Sequence, residues 1–199
     1  MEPKQIFVTL GPTGTNHEFA TQRFIDFHSI NARLELIGDF FEGLEMISRG
    51  HADYLVQAAV HPDCADVVAK GHFEYDIHVM DTFISSSKNL AILTRSDIPL
   101  PRTIALQKAT REYTDISAWP KHVFVESVML VADGLLQGSY DSGLTTLDVA
   151  EKNPGSFRID KLIGSVDDPW LVLGRHRVAN DMMVAWQQSP GAKIISSRK

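Results

Sequence analysis

Sulfur-bridging capacity in this chain of 199 residues is limited to a single cysteine, Cys64. That excludes an internal disulfide and a multi-thiolate zinc site, and it fits a reducing compartment. Basic residues are also short: 19 Lys and Arg stand against 25 Asp and Glu, for a net charge of -6. Such a balance gives no general electrostatic hold on a phosphate backbone, so nucleic acid is excluded as the default partner. No stretch approaches the roughly 18 uninterrupted apolar residues of a membrane helix, and MEPKQIFVTLGPTG lacks the apolar core and small-residue cleavage site of a signal peptide. These absences predict a cytoplasmic protein without a membrane partner. Motifs are sparse too: there is no GxxxxGK[ST], no GxGxxG and, among eight histidines, no HExxH. Neither a cofactor nor a metal is expected.

What is present is an ordinary folded composition, 44% apolar and 22% charged, arranged as alternating strand and helix. QIFVTL is an apolar, β-branched run closed by Gly11-Pro12; Thr15 and Glu18 then stand in capping-box register before Phe19, Ala20, Phe24 and Phe27 at helical spacing. RLELIG reads as a second strand, Asp39 and Glu42 open a helix that Gly50 stops, and DYLVQAAV reads as a buried strand. A short helix through Val67 and Val68 leads to DIHVMDTF and NLAILTR, strands separated by the polar run Ser85 to Lys88. The pattern then repeats: TIALQ, a helix from about Lys108, HVFVE, a helix opened by Ser127, SGLTT, and a short helix to Asn153. FRIDKLIG and WLVLGR read as strands, VANDMMVAWQQ as a closing helix with Met182, Met183 and Trp186 on its apolar face, and the tail from Ser189 as loose.

This order predicts an α/β protein of two lobes, with mostly parallel sheets flanked by helices and a cleft between the lobes. Residues 1–81 and 165–199 form lobe one and residues 82–164 lobe two. In such folds ligands bind beyond the carboxyl ends of strands, so the loops after Leu10, Val60, Gln107, Glu126 and Leu144 are where a site is expected.

The strongest local signal is LGPTGTNHE, a strand running through a Gly-Pro-x-Gly turn into a helix whose first amides point at the turn. Gly14, Thr15 and Asn16 suit a carboxylate or phosphate there. Two readings stand: Thr15 and Glu18 cap the helix, or the cap also serves an anion. VHPDC brings His61, Asp63 and Cys64 together at a loop-helix junction. It serves as a structural or ligand-lining segment, presents His61 for proton transfer, or presents Cys64 as a nucleophile with a lowered thiol pKa. Lys88, Lys108, Arg111 and Arg175 near strand ends are either solvated surface groups or cations for an anionic ligand. Ser127, Thr145 and Thr146 are polar loop candidates, Ser127 equally an N-cap.

In the order of these motifs the chain resembles the catalytic domain of prephenate dehydratases, and more closely their small relatives, the prephenate decarboxylases of bacilysin-type antibiotic pathways. TLGPTGTNHEFATQRFI is similar to the family opening GPxGTxxExA; DTF with NLAILTR, and FVESVMLVADGLLQGSYDSGLTTLDVA, supply the other anchors. The resemblance spans about residues 5–177 and leaves no chain for a regulatory ACT-like domain. It implies a type-2 periplasmic-binding-protein-like arrangement, a small anionic substrate and a homodimer.

Dehydratases of this family carry a late Thr-Arg-Phe motif whose threonine helps the ring hydroxyl leave. Here the corresponding stretch is DDPWLVLGR, and the family's acidic-Asn-Ser segment is replaced by VHPDC. Trp170 followed by an apolar strand and Gly-Arg is similar to the decarboxylase branch. The resemblance thus implies a cofactor-independent lyase that decarboxylates prephenate or a similar cyclic carboxylate without making it aromatic. Gly14, Thr15 and Asn16 would bind one carboxylate, Lys88, Lys108 or Arg175 would supply a cation, Ser127, Thr145 and Trp170 would line the substrate, and His61 would donate the proton. The alternatives are a dehydratase with a different acid and a non-catalytic small-anion binding module.

Overall fold

The computed structural model describes residues 4–179, 181–186 and 189–197. Through residue 174 its elements run in the expected order. Gln5–Leu10 (β1), Asn16–Phe27 (α1), Ala32–Ile37 (β2), Phe40–Ser48 (α2), Tyr54–Ala58 (β3), Cys64–Tyr75 (α3) and His78–Ser86 (β4) build most of the first lobe. Leu90–Arg95 (β5), Thr103–Gln107 (β6), a 3-10 turn at Lys108–Tyr113, Lys121–Val125 (β7), Val128–Leu136 (α4), Ser142–Thr146 (β8), Asp148–Lys152 (α5) and Phe157–Gly164 (β9) build the second. Asp167–Gly174 (β10) returns to the first lobe, and Pro190–Ser196 (α6) follows.

Each lobe holds one five-stranded sheet, in the order β2-β1-β3-β10-β4 and β7-β6-β8-β5-β9. The β-α-β units give the parallel pairs that the sequence predicts, β1 with β2 and β3, β6 with β7 and β8. The remaining pairs, around β10 and β5, are antiparallel, so the sheets are mixed rather than mostly parallel. The cause is the route of the chain. β4 ends where the chain leaves for the second lobe, and β10 starts where it comes back, so β10 must run against β4.

β4 belongs to the first sheet along its whole length, so the chain crosses between the lobes at residues 87–89. The return lies at 165–166, where Val166 and Ser87 exchange two hydrogen bonds of 2.8 and 2.9 Å.

Period-two alternation sends neighbouring residues of the first sheet into separate cores. Val8, Leu55 and Leu173 pack with Phe40, Leu44, Ile47 and Val67 of α2 and α3; Phe7, Val56 and Val172 pack with Ala20, Phe24 and Ile25 of α1. Both faces are therefore covered before the chain reaches residue 178. This explains why the expected helix VANDMMVAWQQ is missing: Asp181 to Trp186 is not helical, Met183 is 91% exposed, and positions 180, 187 and 188 lie outside the described residues. Met182, Val184 and Trp186 are exposed as well. The helix forms later instead, where Ser189 accepts from the Ala192 amide and Pro190 fills the first turn.

Candidate functional site

The loops after Leu10, Val60, Gln107 and Glu126 converge on one cleft of about 950 Å³ between the lobes. The loop after Leu144 does not. Thr145 is fully buried behind the start of α4, its hydroxyl donating to the Val128 carbonyl at 2.7 Å, and Thr146 is equally buried.

Capping governs the Leu10 turn. Thr15 accepts from the Glu18 amide at 3.3 Å and donates to the Leu10 carbonyl at 3.2 Å, while the Glu18 carboxylate reaches back to the Gly14 amide and the Thr13 hydroxyl. The protein's own carboxylate therefore fills the place that the sequence offered to a ligand at Gly14. Gly14 is also at φ +91°, and a Cβ there would meet the Met129 methyl of the other lobe at 3.1 Å. What remains open in this first turn are the amides of Asn16 and His17, which no described residue accepts. Across the cleft the arrangement repeats: Ser127 caps α4 through the Leu130 amide at 3.1 Å, leaving the Val128 and Met129 amides.

The expected cations separate. Lys108 lines the cleft and is exposed there. Lys88 does not line it: its ammonium donates to the Gly14 carbonyl at 2.8 Å and its amide to Asn16 Oδ1 at 3.0 Å. Arg175 is far from it, donating to the carbonyls of Ile47 and Ser48 at the end of α2. Because β10 is antiparallel to β3, its end lies on the side of the sheet away from the cleft and its start on the near side. Arg111 is a surface residue beside Glu112.

That reversal brings two late residues into the site. Trp170, almost fully buried, lines the cleft with its ring edge-on to His17 at 5.1 Å, and Asp168 lines it two positions earlier. His17 is the most perturbed titratable group of the site and one that the motif search passed over. Burial, with His61 adding to it, pushes its pKa down to about 3. Its Nε2 accepts from the Ala58 amide at 3.5 Å, which fits a neutral ring. His61 also lines the cleft, and burial lowers its pKa against a smaller opposing effect of Asp63. Its Nδ1 accepts the Asp63 amide at 3.2 Å, so the geometry favours neutral imidazole over the imidazolium that an acid role needs. Phe40 stands 4.9 Å from the His61 ring and 5.4 Å from the His17 ring, completing an uncharged aromatic wall.

Cys64 begins α3 outside the cleft lining, and burial pushes its thiol up, the reverse of nucleophile activation. Among the described residues no group of three or more His, Cys, Asp or Glu is placed to hold a metal ion, and no helix is long and apolar enough to cross a membrane. A buried acidic residue of the cleft that sequence reasoning missed is Asp168. It is 9% exposed, and burial, then Asp167, raise its carboxyl pKa. An Asp-Asp pair before a strand carries no signal of burial, so only the fold reveals it.

No sequence-family profile and no curated protein sequence matches this chain. Solved structures do. A prephenate dehydratase from Arthrobacter aurescens, solved in complex with L-Phe, superposes with a TM-score of 0.66 at 16% identity, over 95% of this chain and 69% of that one. The prephenate dehydratase of Staphylococcus aureus subsp. aureus Mu50 gives 0.61 at 15% identity, over 87% and 67%. GqqA, described as a novel type of quorum-quenching acylase, gives 0.55 at 11% identity, over 87% and 65%. The chain spans about two thirds of the length of each. It has the two-lobed, type-2 periplasmic-binding-protein-like fold that prephenate dehydratases also have.

Proposed function

We propose that the cleft binds prephenate or a similar cyclic dicarboxylate and decarboxylates it without making the ring aromatic. The observation that carries this reading is the opposition, across one cleft, of two capped helix starts from different lobes. Each has first-turn amides without an acceptor, and Lys108 stands on the second-lobe side. A ligand with two carboxylates finds a place for each. Between them the wall of His17, Phe40, His61 and Trp170 solvates charge poorly, which favours loss of a carboxylate as neutral carbon dioxide. The stretch that brings Trp170 into that wall reads Asp168-Pro169-Trp170, without the hydroxyl that assists dehydration in the family the sequence resembles.

The test is incubation of the purified chain with prephenate at neutral pH, followed by ultraviolet spectrum and product mass. Loss of carbon dioxide alone supports the reading. Loss of carbon dioxide and water, giving an aromatic product, replaces it with a dehydratase.

One observation favours a second reading. Asp39, Asp63, Glu126 and Asp168 line the cleft against Lys108 as its single lysine or arginine among the described lining residues. That surplus of carboxylates suits a small zwitterion, with an ammonium group beside the aromatic wall, held without turnover. Saturable binding of free amino acids, with prephenate unchanged, is the outcome that selects it.

A further inference from the structure

Among the described residues, five acidic or histidine side chains other than His17 line or rim the cleft, and their environments differ sharply. Asp39 is engaged in capping α2, its carboxylate accepting from the Glu42 amide at 2.9 Å. Asp63 is half exposed beside His61, and Glu126 is exposed at the rim. His61 is held neutral, as described above. Asp168 alone is nine-tenths buried with no hydrogen bond or ion pair to its carboxyl from any described residue. Its neighbour Asp167 differs, taking the Ser86 hydroxyl at 2.6 Å.

We propose that Asp168 is the catalytic acid of the cleft, delivering a proton to the substrate ring as the carboxylate departs; this rests on the lyase reading. Position supports the role. Asp168 and Trp170 lie two residues apart on β10 and so share one face, the face that meets the cleft. The groups around the carboxyl leave it uncompensated. Asp167 precedes it on the same strand, and Tyr113 faces it from the second lobe. Ser85, its partner across β4, accepts Arg23 Nη1 at 3.0 Å, and that guanidinium makes no hydrogen bond or ion pair with the Asp168 carboxyl. His17, against Trp170, is neutral. Burial first, and then the Asp167 charge, favour the protonated carboxyl, and burial raises the pKa of the Tyr113 phenol.

The step balances without a co-reactant. The bond from the ring to the leaving carboxylate breaks, releasing carbon dioxide, and its electron pair becomes a new ring double bond. The displaced π pair moves to the far carbon of the old double bond and takes the proton from the Asp168 carboxyl. The ring hydroxyl stays in place. Asp168 is left as a carboxylate and regains a proton from water once the product leaves.

The experiment compares the wild-type chain with Asp168→Asn and Asp168→Glu on prephenate, in water and in deuterium oxide, after subtraction of the spontaneous reaction. Asp168→Asn is expected to lower kcat by about a hundredfold or more with KM nearly unchanged, and Asp168→Glu to recover part of it. The wild-type kcat should fall as pH rises through the raised carboxyl pKa, and its product should carry one deuterium on one face of one ring carbon. Decarboxylation by Asp168→Asn at the wild-type rate, or deuterium on both faces in the wild-type product, overturns Asp168 while leaving the lyase reading intact. A wild-type chain that leaves prephenate unchanged, or turns it into an aromatic product, overturns both.

Discussion

The Lys88 ammonium lies 2.8 Å from the Gly14 carbonyl and donates to it across the boundary between the lobes. Its amide holds Asn16 at 3.0 Å, and its ammonium also stands 4.0 Å from the Asp148 carboxylate of the second lobe. A lysine next to a crossing, which reads in sequence as a cation for a ligand, is thus a tie between the lobes. Lys88→Met keeps the aliphatic stem and removes the charge. It is expected to cost about 1–2 kcal/mol in the ligand-free protein, a fall of roughly 3–6 °C in thermal midpoint. A midpoint that stays put while ligand affinity collapses would return Lys88 to the role of ligand cation.

Stability should depend on pH through His17. Its folded pKa of about 3 lies below the ordinary 6.5, so between these values the unfolded chain binds the proton that the folded chain refuses. Stability is therefore lost as pH falls from about 6.5 toward 3, by up to about 1.4 kcal/mol per pH unit for one proton. His61 acts in the same direction, whereas the raised carboxyl of Asp168 acts in the opposite one below its folded pKa. Urea midpoints of wild type and His17→Gln at pH 7, 6 and 5 separate the contributions. The variant should show the shallower slope, and parallel lines would mean that His17 is solvated.

Thr15 offers a cleaner division between capping and binding. Because its hydroxyl both accepts from Glu18 and donates to Leu10, Thr15→Ala should cost about 1 kcal/mol of stability, with Thr15→Ser nearly neutral. On the proposed reading the anion sits at the neighbouring amides, so affinity should fall only as far as the turn loosens, by less than about tenfold. Calorimetric titration beside a thermal melt decides it. A larger loss of affinity in a fully folded variant would assign the hydroxyl itself to the ligand.

Much of the fold is legible in local chemistry. Alternating apolar runs and the caps at Thr15, Asp39 and Ser127 mark the β-α-β units, and both lobes follow from them. Strand direction is not legible, because an apolar run reads the same whichever way it pairs. That one gap misplaced Arg175, which caps the end of α2, and hid Asp168, which opens the same strand at the cleft. His17 was hidden differently. A histidine in the first turn of a helix reads as polar surface, and its burial comes from Trp170 and Ala58, both distant in sequence. The cleft is thus visible through its loops, while the chemistry of its floor depends on contacts that no local window contains.

The place of β10 between β3 and β4 also bears on how the molecule comes into being. Strands of the second sheet all lie between residues 90 and 164, so that sheet can pair within one continuous stretch of nascent chain. The first sheet cannot: during synthesis β3 and β4 present bare facing edges until residue 174 emerges. The N-terminal lobe is therefore the later one to be completed, by a contact of long sequence separation. The strand that finishes it carries Asp168 and Trp170, so the cleft acquires its floor in the same event that closes the sheet.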